Sequence, residues 1–160
     1  MDNWGKPIEI LLIEDNEGDI ILTGKALEEG KISNNLHVCR NGQEGLDFLF
    51  KRGAYEGVVT PDIVLLDLNM PGISGQEVLE QVKNTDGINT IPVVVLTTSE
   101  SQKDIQKSYQ LHANSYIKKP VDFEQFVEVV KQIQSYWFTI VKFPSRDGGE
   151  INKNSFEVSA

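Results

Sequence analysis

A doubly wound α/β fold, with five parallel strands in one sheet and helices on both faces, is the class this sequence predicts. Two observations carry it. Five short apolar runs alternate with five stretches of helical spacing, and strands joined by helical crossovers give right-handed βαβ units. The central run Ile63-Val64-Leu65-Leu66 is apolar at every position and half β-branched, as suits a strand buried on both faces in mid-sheet.

In chain order, Ile8 to Ile13 is apolar except for Glu9 and reads as the first strand, stopping at the adjacent carboxylates Glu14 and Asp15. Residues 17 to 29 form a helical stretch with Ile20, Ile21, Ala26 and Leu27 as expected core positions, closed by Gly30 where a C-cap glycine belongs. Leu36 to Arg40 is a second short strand. Gly42 to Lys51 is a helix with Leu46, Leu49 and Phe50 on one side, and Gly53 to Pro61 is a long connection. The central strand ends at Asp67 and breaks at Pro71-Gly72, a turn composition. Ser74, with Glu77 three residues on and Val78, Leu79 and Val82 following, is a capping-box start for a helix running to about Lys83. Ile91 to Leu96 is the fourth strand and runs into Thr97. Residues 102 to 111 are a weakly amphipathic helix. Ser115 to Ile117 is the fifth strand, running into Lys118-Lys119-Pro120, and the helix 123 to 138 carries Phe126, Val130, Ile133 and Trp137 at helical spacing.

The chain has 160 residues, enough for one domain with a sizeable core, and 39% hydrophobic with 24% charged residues is ordinary for a globular protein. A net charge of −9 argues against a nucleic-acid surface, which needs a basic face. The single cysteine, Cys39, has no partner for an internal disulfide and fits a reducing compartment. No apolar run approaches the ~20 residues of a membrane span and no signal peptide opens the chain, so a cytoplasmic location is expected. One domain is expected over residues 1 to 138, with a flexible polar tail over 139 to 160.

Four strands finish on polar side chains: Glu14-Asp15, Asp67, Thr97 and Lys119. In a doubly wound sheet those ends lie on one edge, where ligands bind. Singly, each has a plain explanation: acids at a helix start, a strand threonine, a solvated lysine. Ser74 already caps the helix after the central strand, which leaves Asp67 without that task. Three converging carboxylates need a positive neighbour, and Mg²⁺, a hard cation taking one or two carboxylates plus water and phosphate oxygens, meets that need. Lys119 adds an ammonium and Thr97 a hydroxyl. Together they describe a pocket for a phosphoryl group.

On these residues, 8 to about 138, the sequence resembles the receiver domains of two-component response regulators, whose fold is flavodoxin-like. The resemblance implies that Asp67 is the phosphoacceptor, that Asp15 binds Mg²⁺ directly and Glu14 mainly through water, and that the Asn69 backbone carbonyl completes the metal site. It implies that Lys119 reads the phosphate, that Thr97 is the switch hydroxyl and that Tyr116 is the aromatic that follows it. The long 52 to 61 loop, the Pro92 to Ser99 run and Tyr136-Trp137 are similar to single-domain regulators that accompany phytochrome-type histidine kinases.

The function so implied is a phosphoacceptor switch, not an enzyme in the turnover sense. It takes its phosphoryl group from a sensor histidine kinase and signals to a downstream protein. A phosphorelay intermediate or phosphate sink is an alternative within that family. An aspartyl-nucleophile phosphohydrolase is a less favoured one, because Asn69 stands where such enzymes carry a second Asp. A module that has lost phosphorylation is disfavoured by retention of every site residue. Tyr136 and Phe138 cannot share the buried face of Ile133 and Trp137. With the family likeness, this leads to the expectation of a homodimer through the fourth helix, fifth strand and fifth helix.

Overall fold

The computed structural model describes residues 6–29 and 33–97, the strand 115–118, and Glu124 and Glu128, which are helical and exposed. Gly30, Lys119, the expected helix 102–111, the rest of helix 123–138 and the tail lie outside the described residues, and with them the dimer surface around Tyr136 and Phe138. Thr97 and residues 115–118 are described by their backbone.

The elements are β1 (Ile8–Ile13), α1 (Glu17–Glu29), β2 (Asn34–Cys39), α2 (Gly42–Phe50), a single 3₁₀ turn (Gly53–Tyr55), β3 (Ile63–Asp67), α3 (Gly75–Lys83), β4 (Val93–Thr97) and β5 (Ser115–Lys118). The strands form one five-stranded sheet in the order β2-β1-β3-β4-β5, parallel throughout. The chain moves outward from β1 to β2, then crosses back to place β3 on the other side of β1. The strand order therefore reverses between β1 and β3, and the crevice at their carboxyl ends is the ligand position of such sheets.

Strand alternation sorts the core into two layers. Leu11, Ile13, Val64, Leu66, Val93 and Val95 face one side, under Leu46 and Leu49 of α2 and Val78, Leu79 and Val82 of α3. Ile10, Leu12, Ile63, Leu65, Val94 and Leu96 face the other, under Ile20, Ala26 and Leu27 of α1. β3 is buried at all five positions: its four apolar residues as their unbroken run requires, and Asp67 at its end as well.

Ile21 departs from expectation. It is 52% exposed, and Thr23 takes a buried place on α1 instead. Only one stripe of a helix can face a sheet, and Ile21 stands about 100° round from Ile20. On α2, Phe48 is buried, whereas Phe50 is partly exposed with the Arg52 guanidinium 4.7 Å above its ring. β4 starts at Val93 and not Ile91, because Pro92 has no N–H for the ladder and contributes only its carbonyl, to Val64 N–H at 2.9 Å.

The long 53–61 connection is tied down. Tyr55 packs on Phe48 with ring centroids 5.4 Å apart, Phe48 on His37 at the same distance, and Lys51 Nζ donates to the Val58 carbonyl at 2.7 Å.

Candidate functional site: an acidic pocket at the switch point

Glu14 continues the β1 ladder by one residue, its N–H donating to the Cys39 carbonyl at 2.9 Å. Its side chain is fully buried, and Oε2 accepts from the Asn16 N–H at 3.2 Å. Asn16 in turn starts α1: its Oδ1 accepts from the Asp19 N–H at 2.9 Å, the geometry of a helix N-cap. Asp15, between them, is exposed. Strand end and helix start thus share three residues, which turns Glu14 inward and Asp15 outward over the same crevice.

Asp67 closes β3 and is 3% exposed. Its Oδ1 accepts from the Asn69 N–H at 3.1 Å, so the carboxylate that lacked a capping task organises its own turn. Leu68 and Met70 anchor that turn in the core. The chain then passes Gly72, at φ +81°, to Ser74, whose Oγ accepts from the Glu77 N–H at 3.1 Å as the capping pattern predicts. The Gly75 N–H donates back to the Leu68 carbonyl at 3.2 Å, pinning the start of α3 against the end of β3.

The structure brings three of the expected residues together: Glu14, Asp15 and Asp67 each offer an oxygen within 4.8 Å of the others. Two of the three are buried, where unbalanced like charge is costly. All the donors in the set are carboxylate oxygens, which suits a hard divalent cation and not a thiolate- or imidazole-seeking metal. Glu14, Asp15 and Asp67 are the residues that could hold it, with Asn69 one turn away. Thr97 ends β4 at the same edge, in register with Lys118, and Tyr116 lies in β5 opposite Val95. Lys119, next in the chain after Lys118, lies outside the described residues.

Around the pocket, Arg40 at the end of β2 pairs with Glu17 at the start of α1, both exposed, with Nη1 2.5 Å from Oε1. Behind it, burial pushes the Cys39 thiol up to about 11 and the Tyr55 hydroxyl, which hydrogen-bonds that thiol, up to about 12. The thiol is therefore protonated and inert at neutral pH. Sequence reading missed Asn16 and Gly75. An Asn directly before a helical stretch signals the first. For Gly75 the capping pattern gives no signal, since what sets it apart is its packing against the end of β3.

The response regulator receiver domain family model matches residues 10–131. Response regulator Rcp1 of Synechocystis sp. is 38% identical over 144 residues, covering 90% of this chain and 98% of that protein. Two solved structures superpose with TM-scores of 0.76 and 0.75, each at 38% identity. They are the phosphorylated cyanobacterial phytochrome response regulator RcpA, covering 88% of this chain and 100% of that one, and the Mn²⁺-bound form of Rcp1, covering 87% and 100%.

Proposed function

The chain belongs to the response regulator receiver family, and from that premise we propose that Asp67 is its phosphoacceptor, in a pocket that Glu14 and Asp15 complete for Mg²⁺. The observation that carries this reading is the convergence of these three carboxylates at the β1/β3 switch point, with Asp67 ending the central strand. In the reaction an oxygen of the Asp67 carboxylate forms a bond to phosphorus as the P–N bond of a kinase phosphohistidine breaks. The electron pair returns to the imidazole. A divalent cation held by Glu14, Asp15 and Asp67 would offset the negative charge that gathers when carboxylates and phosphoryl oxygens meet.

The protein's own groups do the rest. The Asn69 N–H donates to Asp67 Oδ1, which orients the carboxylate at the strand end. The Asn69 carbonyl is proposed as a further metal ligand. Lys119 and the Thr97 hydroxyl are proposed to bind the new phosphate oxygens, with Tyr116 following Thr97 inward. Phosphate contacts then favour one of two conformations, which is the signal. In this reading the chain is a switch that assists its own phosphorylation and dephosphorylation, and residues 1–138 form the receiver.

A phytochrome-type histidine kinase is the proposed donor, on the strength of the likeness to RcpA and Rcp1. The proposed homodimer, through the fourth helix, β5 and the fifth helix, rests on the apolar Tyr136-Trp137-Phe138 run. Replacing Tyr136 and Phe138 by Ser should move sedimentation towards monomer.

Acetyl phosphate with Mg²⁺ tests the assignment. The wild-type chain should gain one acid-labile phosphoryl group and Asp67→Asn none; undiminished labelling of that variant would sink the assignment. Thr97→Ala should still be labelled, yet lose the chemical-shift changes around Tyr116 that accompany phosphorylation.

A further inference from the structure

At two helix positions beside the strand ends of the acidic pocket, a Cβ would crowd a neighbour: backbone at Gly75, and the end of the Ile13 side chain at Gly45. At the first residue of α3, a Cβ on Gly75 would lie 2.3 Å from the Asp67 carbonyl oxygen and 2.6 Å from Leu68 Cα. These are backbone atoms at the end of β3 and of the residue after it, where Asp67 is in register with Leu96 of β4, so they have less room to yield than a side chain. In α2, a Cβ on Gly45 would lie 2.4 Å from Ile13 Cδ1 and 2.9 Å from Cγ1. Ile13 is fully buried and directly precedes Glu14 and Asp15. Each glycine therefore abuts one of the two strand ends that carry the pocket's carboxylates.

Neither contact has a simpler cause in the helices themselves. Glycine is a poor helix former compared with alanine, so local propensity disfavours both residues. Neither has the positive φ that would require glycine. Gly24, in mid-α1, shows the opposite case: a Cβ there would meet nothing nearer than Leu36 Cδ2 at 3.9 Å.

We propose that Gly75 and Gly45 are positioning residues, setting how far Asp67 stands from Glu14 and Asp15 and thereby how tightly the pocket holds a divalent cation. Gly75 fixes the height of Asp67 against α3, and Gly45 fixes Ile13, and with it the Glu14-Asp15 turn, against α2. A side chain at either position displaces one carboxylate group relative to the other. The proposal rests on the receiver reading and adds to it the parts of the scaffold that set the acid spacing.

The full chain carrying Gly75→Ala, Gly45→Ala, Gly45→Ala with Ile13→Val, or Gly24→Ala as control is titrated with Mg²⁺ by calorimetry. Phosphorylation by acetyl phosphate is followed in parallel, and circular dichroism reports folding. Gly75→Ala and Gly45→Ala should each bind Mg²⁺ about ten-fold or more weakly, the usual size of an effect transmitted through a ligand's support. Gly24→Ala should bind within about two-fold of wild type, as a group outside that support does. Adding Ile13→Val to Gly45→Ala removes the atom nearest the new methyl group and should restore most of the lost affinity, which a general loss of stability would not do. A folded Gly75→Ala with wild-type affinity overturns the proposal. If Gly75→Ala does not fold, the Gly45 pair decides: no loss, or a loss that Ile13→Val leaves unrepaired, overturns it. A wild-type chain that neither binds Mg²⁺ nor takes phosphoryl overturns the receiver reading itself, and the proposal with it.

Discussion

The Asn69 N–H donates to Asp67 Oδ1 at 3.1 Å, so the proposed phosphoacceptor and the turn after it hold each other. An asparagine at 67 keeps an oxygen in the same place and loses the charge. Asp67→Asn should therefore retain the turn while relieving the repulsion among three carboxylates whose oxygens lie within 4.8 Å. Without metal, we expect this variant to melt about 2–4 °C above wild type, for about 1 kcal/mol gained. Thermal melts in EDTA check it, and a lower melting temperature would show that Asp67 is stabilised by its neighbours.

Mg²⁺ should also stabilise the wild type, by neutralising the same carboxylates. Ligand binding to the folded state at about 100 times Kd stabilises it by about 2.7 kcal/mol, which corresponds to roughly 5–10 °C. Asp15→Asn should shrink that shift and Asp67→Asn should nearly abolish it, since both remove proposed ligands. Melts across a Mg²⁺ series give the answer, and equal shifts in all three proteins would place the metal elsewhere.

Cys39 and Tyr55 predict an alkaline limb in stability. Burial raises the thiol from 9.0 to about 11 and the hydroxyl from 10.0 to about 12. Below pH 9 both are protonated in folded and unfolded chains, and their contribution is fully present. Between pH 9 and 11 the unfolded thiol loses its proton while the folded one keeps it, so the unfolded state binds fewer protons and stability falls as pH rises. The tyrosine extends the fall from pH 10 to 12. Lys83, lowered from 10.5 by burial, opposes it as pH approaches that value. Urea titrations from pH 8 to 11 should show a shallower fall in Cys39→Ala than in wild type.

Lys83 also makes a local prediction. Its Nζ donates to the Ile91 carbonyl at 2.8 Å and the Asn89 carbonyl at 3.3 Å, closing the loop between α3 and β4. Lys83→Met keeps the buried stem and removes both bonds. A loss of about 1–3 kcal/mol by urea titration is expected, typical of hydrogen bonds from a charged donor. Mg²⁺ affinity should stay within about two-fold, because the residue lies at the far end of α3, roughly 12 Å along the helix from Gly75.

Much of this protein is legible in its sequence. The unbroken apolar run of β3 fixes a two-sided burial that only mid-sheet offers, and the alternation of runs and helical stretches fixes parallel βαβ units. Ser74 with Glu77 reads as a helix start because capping is a local matter, decided within four residues. The carboxylates at 14, 15 and 67 read as strand-end residues for the same reason. That they belong to one site follows from the parallel sheet, whose strands all finish on one edge.

What tertiary structure alone decided is which side chains share the crevice and how closely. β1 and β3 come to lie side by side because the strand order reverses there, and this puts Glu14 and Asp67 over one point, with Glu14 fully buried and Asp15 in solvent. Ile21 is apolar and sits on an amphipathic helix, but the stripe that meets the sheet is narrower than the apolar run, so it stays exposed. Gly75 and Gly45 look like ordinary helix glycines. The limit on each comes from atoms it meets only after packing, the end of the preceding strand for Gly75 and the distant Ile13 for Gly45, and a steric limit of that kind exists only once the layers have packed.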